Sequence, residues 1–467
     1  MESAKIYDEN VYESIKPDLL GFGWVRKFMN NLVFFHMESL NNLIFKMSDE
    51  TLPNIHDFLN TSTYYTNYYS TATSTLMVVS DLLYGRTDQF EDSTYLEDIF
   101  SGISKEKSLP DLLGDKGYKS KFYYIRNSTY FANRGYEAVT RALSKKADFF
   151  VANEFSEIKK DLHDYLSTKQ HFCLFVMDLE SHISEMKYFK DSEHDSNYDL
   201  YLLRYKKMDK TFSCLKKLLI NEGRYEDTVF VLYGDHGDEL WGHHIYNGHT
   251  HAFEPYLSLC NTPLIIHTAG QKYGKKENFL IGTSSVCNLI RNLLEPQKEE
   301  FEFDKFVYSR NLFSRQSLNL NGFNKSYTVT DGKYSLMVSH KGLEMYLNKL
   351  DFTGSRNFLD FFKLSHGTIK YIKRFSYIRS AHYRAFMIPE FINELESVFN
   401  ILKGKLSEHI KIVYNNRKSK MNFVKINYSK DAIKRRRKLW FSMIKWESFE
   451  MLRTLKNMII KKKLSVS

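Results

Sequence analysis

The sequence predicts an α/β fold with a mostly parallel central sheet flanked by helices. Short apolar runs typical of buried strands occur at residues 31–37, 171–177 and 228–233. Residues 76–83 and 201–221 carry apolar side chains at helical spacing between those runs. Strands that alternate with helices usually pair as a parallel sheet whose two faces are both covered.

The elements follow one another in a regular order. The first run, residues 31–37, leads directly into Glu38. The helix predicted at residues 76–83 stops at Gly85, because a glycine just past the last turn is typical of a helix C-terminus. The run at residues 228–233 is the clearest strand, since it is β-branched and aromatic. Residues 262–267 predict a further strand with a proline near its start.

Length and composition indicate a large globular chain with an appendage. The chain has 467 residues, of which 43% are hydrophobic and 15% aromatic, so a substantial core is expected and wholesale disorder is excluded. We expect an N-terminal segment at residues 1–29, a catalytic domain at 30–300, a small C-terminal subdomain at 301–365 and a basic helical tail at 366–467.

The sequence indicates a protein without a membrane span. No run approaches about 18 consecutive apolar residues, and the polar, acidic N-terminus does not describe a signal peptide. Four cysteines stand far apart without metal-type spacing, which fits free thiols in a reducing compartment. We expect a cytoplasmic location, with peripheral attachment to the inner face of the membrane as a variant of it.

The net charge of +10 is concentrated near the C-terminus. Residues 417–467 hold 16 Lys and Arg against three Asp and Glu, whereas the rest of the chain holds 50 basic and 53 acidic residues. Cations interleaved with Trp440, Trp446 and other apolar residues suit a helix on an anionic membrane surface, the partner we favour for residues 430–467. A helix packed on the body is the alternative. Charge alone would also fit nucleic acid, which we do not expect.

Three polar sites follow predicted elements where a parallel sheet binds its ligands, beyond the carboxyl ends of the strands. Glu38 is the first, although a lone carboxylate there is more often a cap. The hydroxyl cluster at residues 71–75 is the second. It is either an N-cap or a nucleophile at a helix N-terminus, where free amides favour an anionic phosphate or sulfate.

The third site is Gly234-Asp235-His236-Gly237, at the end of the clearest strand. Adjacent Asp235 and His236 can both turn toward one cation, and Gly237 lets the chain bend sharply. Carboxylate and imidazole together favour Zn²⁺ or Mn²⁺ over Ca²⁺, which prefers oxygen ligands. Four more histidines follow closely: His243, His244, His249 and His251.

Several segments occur in the order found in one enzyme family. They are residues 53–55, 85–86, 208–219, 227–237, 262–266, 332–336, 342–346, 351 and 357–359. Over roughly residues 30–360 the chain resembles the sulfatase branch of the alkaline phosphatase superfamily. The resemblance implies that fold and a metal-dependent reaction on sulfate or phosphate esters.

Details within that resemblance favour phosphate. Thr75 stands where sulfatases carry a cysteine or serine matured to formylglycine, and threonine cannot undergo that change. Glu38-Ser39 replaces their paired aspartates, a pattern similar to lipoteichoic acid synthases and phosphoethanolamine transferases. Residues 109–113, 116–118 and 131–134 resemble the synthase segment that carries a substrate-binding arginine, here Arg134. We expect the membrane domain of those transferases to be lacking.

The resemblance implies a role for each site residue. Glu38, Thr75, Asp235 and His236 would hold one divalent ion, with Mn²⁺ or Zn²⁺ expected ahead of Mg²⁺ or Ca²⁺. Thr75 would be the nucleophile and His182 would protonate the leaving oxygen. The substrate contacts would be Arg134 and either His249 or His251, of which we favour His251.

Each of these roles has an alternative. Thr73 or Ser74 could replace Thr75 as nucleophile, Arg134 could form a surface ion pair, and His182 could be a core histidine. The function expected is a phosphotransferase or phosphodiesterase acting on a phosphorylated cell-envelope glycan or lipid-linked substrate. A sulfuric-ester hydrolase acting on a sulfated substrate and a non-catalytic relative that binds a membrane surface are the alternatives.

Overall fold

The structure is a computed structural model. It describes the following residues: 30–87, 107–126, 133–168, 170–179, 181–182, 197–238, 254–294, 301–311, 326–339, 342–349, 357, 359, 362–365, 368–371 and 389–421. The predicted N-terminal segment, the predicted boundary at residue 300 and the basic part of the tail beyond residue 421 lie outside these ranges. Those three predictions therefore stay predictions.

The larger part of the described chain is built on one large sheet. Its strands are β1 (Asn31–Met37), β2 (Thr63–Tyr65), β4 (Lys119–Ile125), β5 (Asp148–Ala152), β6 (Phe172–Asp178), β7 (Thr228–Gly234), β8 (Leu264–His267) and β9 (Lys275–Glu277). A short pair, β3 (Tyr68–Tyr69) and β10 (Ile281–Gly282), lies beside it. The strand order is β5-β4-β6-β1-β7-β8-β2-β9. The first five strands in this order, from β5 to β7, are parallel to one another. The predicted α/β class with a mostly parallel sheet is confirmed.

Helices cover both faces of this sheet. They are α1 (Asn42–Lys46), α2 (Pro53–Phe58), α3 (Thr75–Tyr84), α4 (Leu109–Asp115), α5 (Asn133–Leu143), α6 (Phe155–Ser167), α7 (Asn197–Asn221), α8 (Leu257–Cys260) and α9 (Thr283–Leu294). Side chains from α3, α4, α5 and α9 share one buried cluster with the sheet, and those of α1, α2, α6 and α7 share another. The sheet is therefore buried on both sides, which explains why its central strands are apolar at nearly every position.

A smaller antiparallel sheet follows in the chain. Its strands are β11 (Val307–Arg310), β12 (Tyr327–Thr330), β13 (Tyr334–Ser339) and β14 (Gly342–Leu347), and a hairpin follows as β15 (Phe362–Ser365) and β16 (Thr368–Tyr371). The long helix α10 (Pro389–Met421) buries Leu395, Phe399 and Leu402 against this sheet. The sheet and the start of the predicted tail thus share one core.

Two further features concern the cysteines and the helices. All four cysteines are free thiols, and three of them are buried. Among the helices that the structure describes, none combines the length and the apolar character needed to cross a membrane.

Candidate metal centre and active site

Two carboxylates meet at the carboxyl edge of the central sheet because β1 and β7 are parallel neighbours. Met37 lies opposite Gly234 in the register, so the residues that follow, Glu38 and Asp235, lie side by side. Both side chains are fully buried. The alternation of side chains along a strand puts them on the face that α3 covers. The position that the sequence predicted for these carboxylates is the one observed.

The hydroxyl of Thr75 faces this pair from the start of α3. Thr75 is the first residue of the helix, and Ser74 precedes it in extended conformation. Thr75 Oγ1 lies 3.3 Å from Glu38 Oε1 and 3.4 Å from Glu38 Oε2. The first amides of an α-helix have no acceptor within the helix, so the hydroxyl stands beside a natural anion site.

His236 completes the group and has the orientation of a metal ligand. Its Nδ1 donates to the carbonyl oxygen of Gly237 at 3.0 Å, since a carbonyl can only accept. Its Nε2 then lies 3.2 Å from Thr75 Oγ1, 3.2 Å from Asp235 Oδ2 and 3.8 Å from Glu38 Oε1. A ring held through one nitrogen by a carbonyl presents the other nitrogen to a cation.

These four side chains fit one divalent cation. Among the residues that the structure describes, Asp235 Oδ2 is buried without a hydrogen-bond partner. His236 Nε2 lies 3.2 to 3.8 Å from ligand atoms of Thr75, Asp235 and Glu38, and Thr75 Oγ1 lies 3.3 Å from Glu38 Oε1. A tetrahedral shell with bonds of about 2.0–2.2 Å needs ligand atoms about 3.3–3.6 Å apart. An orphaned buried carboxylate oxygen within such a shell is what a cation would satisfy.

Two glycines allow the loop that carries Asp235 and His236 to pack closely against neighbouring backbone. A Cβ on Gly234 would lie 2.6 Å from the carbonyl oxygen of Leu40. A Cβ on Gly237 would collide with the carbonyl oxygen of Ser258 and lie 2.8 Å from Asn41 Cβ. The glycines on either side of Asp235 and His236 are therefore required by close backbone packing and not by a positive φ.

Ser39 holds both carboxylates through a strained backbone. Its φ is 58°, a left-handed value that costs a non-glycine residue about 1–2 kcal/mol. In this conformation its N–H donates to Asp235 Oδ1 at 3.0 Å and its hydroxyl donates to Glu38 Oε1 at 3.3 Å. Tyr205 fixes the turn by donating its hydroxyl to the carbonyl of Ser39 at 2.8 Å. Because Oδ1 of Asp235 accepts from Ser39, Oδ2 is the oxygen that faces His236, 3.2 Å from its Nε2.

His36 joins the site although the sequence did not single it out. It is buried on β1, and its Nε2 donates to Glu38 Oε2 at 2.9 Å. His36, Glu38 and Asp235 each offer a ligand atom within 4.8 Å of the others. The sequence did contain a signal for His36. Side chains two residues apart along a strand point to the same face of the sheet, so His36 is expected on the same face as Glu38.

The electrostatics of the group favour an ionised Glu38. Burial alone would raise the pKa of Glu38, but the hydrogen bond from His36 and the nearby charges of His182, His36 and His236 outweigh it and lower that pKa. Burial would likewise lower the pKa of His36, yet the charge of Asp235 and the hydrogen bond to Glu38 raise it. The site therefore keeps an anionic ligand at neutral pH.

The predicted substrate contacts are only partly described. His182 is half-buried, and its neighbour Ser181 donates its hydroxyl to the carbonyl of Glu38 at 2.8 Å. The charge of His182 contributes to the lowered pKa of Glu38. Arg134 lies in the first turn of α5, but its side chain is outside the described residues. His249 and His251 also lie outside them. The roles of Arg134, His182, His249 and His251 remain predictions.

A second arginine, Arg126, lies on the same edge and was missed. Ile125, Asp178, Met37 and Gly234 are aligned across four parallel strands, so Arg126, Leu179, Glu38 and Asp235 form the next row. Phe122 and Tyr124 face the cluster under α3, and alternation puts Arg126 on that same face. It is buried, two strands away from Glu38. A guanidinium at that distance can reach an anion bound between the two residues.

The fold and the site together define a class of protein: an α/β fold with a candidate metal centre at the strand ends and a threonine hydroxyl beside it at a helix N-terminus. Residues 30–295 match the sulfatase family profile. Because this match covers more than half of the chain, the protein belongs to the sulfatase family, whose members act on sulfate or phosphate esters.

Solved structures share the fold at low sequence identity. The phosphonate monoester hydrolase of Agrobacterium radiobacter is 10% identical, with a TM-score of 0.53, over 80% of this chain and 96% of that one. A protein solved with its substrate D-glucosamine-2-N,6-O-disulfate is 11% identical, with a TM-score of 0.52, over 83% and 98%. The lipoteichoic acid synthase LtaP from Listeria monocytogenes is 14% identical, with a TM-score of 0.49, over 70% and 88%. No curated protein matches the chain.

Proposed function

We propose that the protein is a metal-dependent phosphotransferase or phosphodiesterase that uses Thr75 as its nucleophile. The supporting observation is the position of the Thr75 hydroxyl, 3.2 Å from His236 Nε2 and 3.3 Å from Glu38 Oε1, at the N-terminus of α3. A cap residue would direct its oxygen at the helix amides. The Thr75 hydroxyl instead faces the candidate ligands.

The residues divide the reaction between them. Glu38, Asp235 and His236 would hold the cation together with Thr75, and a bound divalent ion would lower the pKa of the Thr75 hydroxyl and offset phosphoryl charge. Thr75 Oγ1 loses its proton to water and forms a bond to phosphorus. The bond from phosphorus to the leaving oxygen breaks, and His182 gives that oxygen a proton.

The second half of the reaction releases the group from Thr75. Water or an acceptor alcohol attacks the phospho-threonine, forms the new oxygen–phosphorus bond and frees Oγ1, which regains a proton. In this proposal the helix amides after Ser74 and the guanidinium groups of Arg126 and Arg134 would hold the phosphoryl oxygens. Whether water or an alcohol accepts the group decides between hydrolysis and transfer.

The substrate class we propose is a phosphorylated cell-envelope glycan or lipid-linked donor, because Glu38, Ser39 and Thr75 follow the lipoteichoic acid synthase pattern. A sulfated glycan is the second candidate, since one structural neighbour was solved with a disulfated glucosamine as its substrate. Threonine cannot mature to the formylglycine that sulfatases use, and this difference favours phosphate. Membrane association through residues 430–467 stays a prediction.

The test is a paired assay on the purified protein with Mn²⁺ or Zn²⁺. Phosphodiester, phosphomonoester and sulfate-ester chromogens are compared, and the phosphodiester should turn over fastest. Thr75→Ala should lower kcat by about 10³-fold or more, as removal of a covalent nucleophile does. Thr75→Ser should retain part of it, because it keeps the hydroxyl.

Ser74→Ala and Thr73→Ala are the matched controls, since each removes a neighbouring hydroxyl of the same segment. Full turnover by Thr75→Ala, or its loss in Ser74→Ala or Thr73→Ala alone, would show that Thr75 is not the nucleophile. Faster cleavage of the sulfate ester would favour the second substrate class.

A further inference from the structure

The further inference concerns His36, a buried residue for which the proposed reaction has no use. It lies on β1, two residues before Glu38, and its side chain is 1% exposed. Nε2 is 2.9 Å from Glu38 Oε2 and 3.5 Å from Asp235 Oδ2, and Nδ1 shares a hydrogen bond of 3.1 Å with the hydroxyl of Tyr233. Both ring nitrogens are therefore engaged.

The sheet itself fixes this arrangement. His36 on β1 lies directly opposite Tyr233 on β7 in the parallel register, and the two rings pack edge to face with centroids 5.3 Å apart. Tyr233 is fully buried, so neither ring has room to choose another rotamer. The Nε2–H of His36 is thus held at one place, directed at one oxygen of Glu38.

The hydrogen bond from His36 limits how Glu38 can bind a cation. Oε2 accepts from His36 at 2.9 Å and lies 3.4 Å from Thr75 Oγ1, while Oε1 accepts from the Ser39 hydroxyl at 3.3 Å and lies 3.8 Å from His236 Nε2 and 3.3 Å from Thr75 Oγ1. The shorter bond is the one that His36 makes to Oε2, so Oε1 is the oxygen left for the cation. A carboxylate bonded in this way offers one oxygen to the cation. Zn²⁺ accepts one oxygen in a shell of four, and Mn²⁺ does not need two from the same group. Ca²⁺ takes six to eight oxygens and often both of one carboxylate.

We propose that His36, supported by Tyr233, is a positioning residue that restricts Glu38 to a single coordinating oxygen and thereby selects Mn²⁺ or Zn²⁺ against Ca²⁺. The proposal rests on the metal site of the proposed function but not on the role of Thr75. Partners outside the first shell of a metal site typically change its affinity by about 10–100-fold when they are removed.

The experiment measures metal binding by calorimetry on the metal-free full-length protein, with Mn²⁺, Zn²⁺ and Ca²⁺ in turn. In the double variant His36→Leu/Tyr233→Phe, both partners of the hydrogen bond between His36 and Tyr233 become apolar at similar volume, so the main cost in stability is the donor that Glu38 loses. Affinity for Mn²⁺ and Zn²⁺ should fall by about 10–100-fold, whereas affinity for Ca²⁺ should hold or rise. His36→Gln keeps a donor at the same reach and should restore most of the Mn²⁺ affinity.

Circular dichroism checks that each variant is folded before its affinity is read. A folded double variant with the wild-type ratio of Mn²⁺ to Ca²⁺ affinity would overturn the proposal, as would equal losses in His36→Gln and the double variant. If the wild-type protein bound none of the three ions, the metal site of the proposed function would fail as well. Normal selectivity in Thr75→Ala would support the independence of the two proposals.

Discussion

At the scale of single residues, the site requires glycine where the Cβ atom of any other residue would collide with neighbouring backbone. Gly237 lies against the Ser258 carbonyl and Asn41, and its N–H donates to the carbonyl of Leu259 at 2.8 Å. The same residue supplies the carbonyl that orients His236. One glycine therefore sets both the depth of the loop and the direction of a ligand.

Gly237→Ala should damage the metal centre more than the fold. The added methyl group forces the loop away from Ser258, at a cost of about 1–3 kcal/mol of stability, and it turns His236 Nε2 from the ligand group. We expect a loss of metal affinity of roughly 10-fold or more by calorimetry. Gly404→Ala is the control, because a Cβ there meets nothing within 4 Å. Unchanged metal binding in Gly237→Ala would contradict this account.

Three of the residues predicted from sequence lie directly after a strand. Glu38, Asp235 and His236 could be found because strand ends and a family motif coincide there. His36 could not be found in that way, because a histidine inside an apolar run is more often a core residue. Its partner Tyr233 is 197 residues away in the chain, and that pairing exists only once the register is known.

At the scale of elements, α3 is anchored by a buried ion pair from the smaller sheet. Arg310 on β11 donates to both oxygens of Asp81 on α3, at 2.6 and 2.9 Å, and to the carbonyl of Thr71 at 3.0 Å. Thr71 also donates its hydroxyl to Asp81 at 2.6 Å. Since Asp81 is fully buried, this pair fixes the helix that carries Thr75.

Arg310→Met should destabilise the protein strongly, because it leaves the Asp81 charge buried without the guanidinium that pairs with it. The expected loss in the free energy of unfolding is about 3–5 kcal/mol, measured by urea titration. The double variant Arg310→Met/Asp81→Asn removes the stranded charge and should recover part of that loss. Equal losses in the single and double variants would show that charge pairing is not the cause.

Elements were predictable in proportion to their length and burial. The strands β1 and β7 appear where their apolar runs predicted them, and α3 extends the predicted helix by one residue at each end. The strands β2 and β9 have three residues each, too few for a recognisable pattern. They form because β2 pairs with β8 on one side and with β9 on the other, where Lys275 donates its N–H to the carbonyl of Ser62. Pairing across a long sequence separation decides such strands.

At the scale of the whole molecule, the candidate metal centre draws on parts of the chain that lie far apart. Glu38, Thr75 and Asp235 come from different elements, and their ligand atoms meet only when β1, β7 and α3 are assembled. The unfolded chain therefore has no such site. A cation that binds the folded protein must stabilise the whole domain by mass action.

Metal should accordingly raise the melting temperature of the wild-type protein. At about 100 times the Kd the stabilisation is about 2.7 kcal/mol, enough for a rise of several degrees in a scanning calorimeter. Asp235→Asn should abolish that rise, because it removes the charge of a ligand. In chelator the same variant should be as stable as the wild-type protein or more so, since Asp235 Oδ2 is a buried carboxylate oxygen without a hydrogen-bond partner among the described residues. The two effects have opposite signs, so general damage to the fold, which would lower the melting temperature under both conditions, cannot produce them. An equal metal-induced rise in both proteins would exclude Asp235 as a ligand.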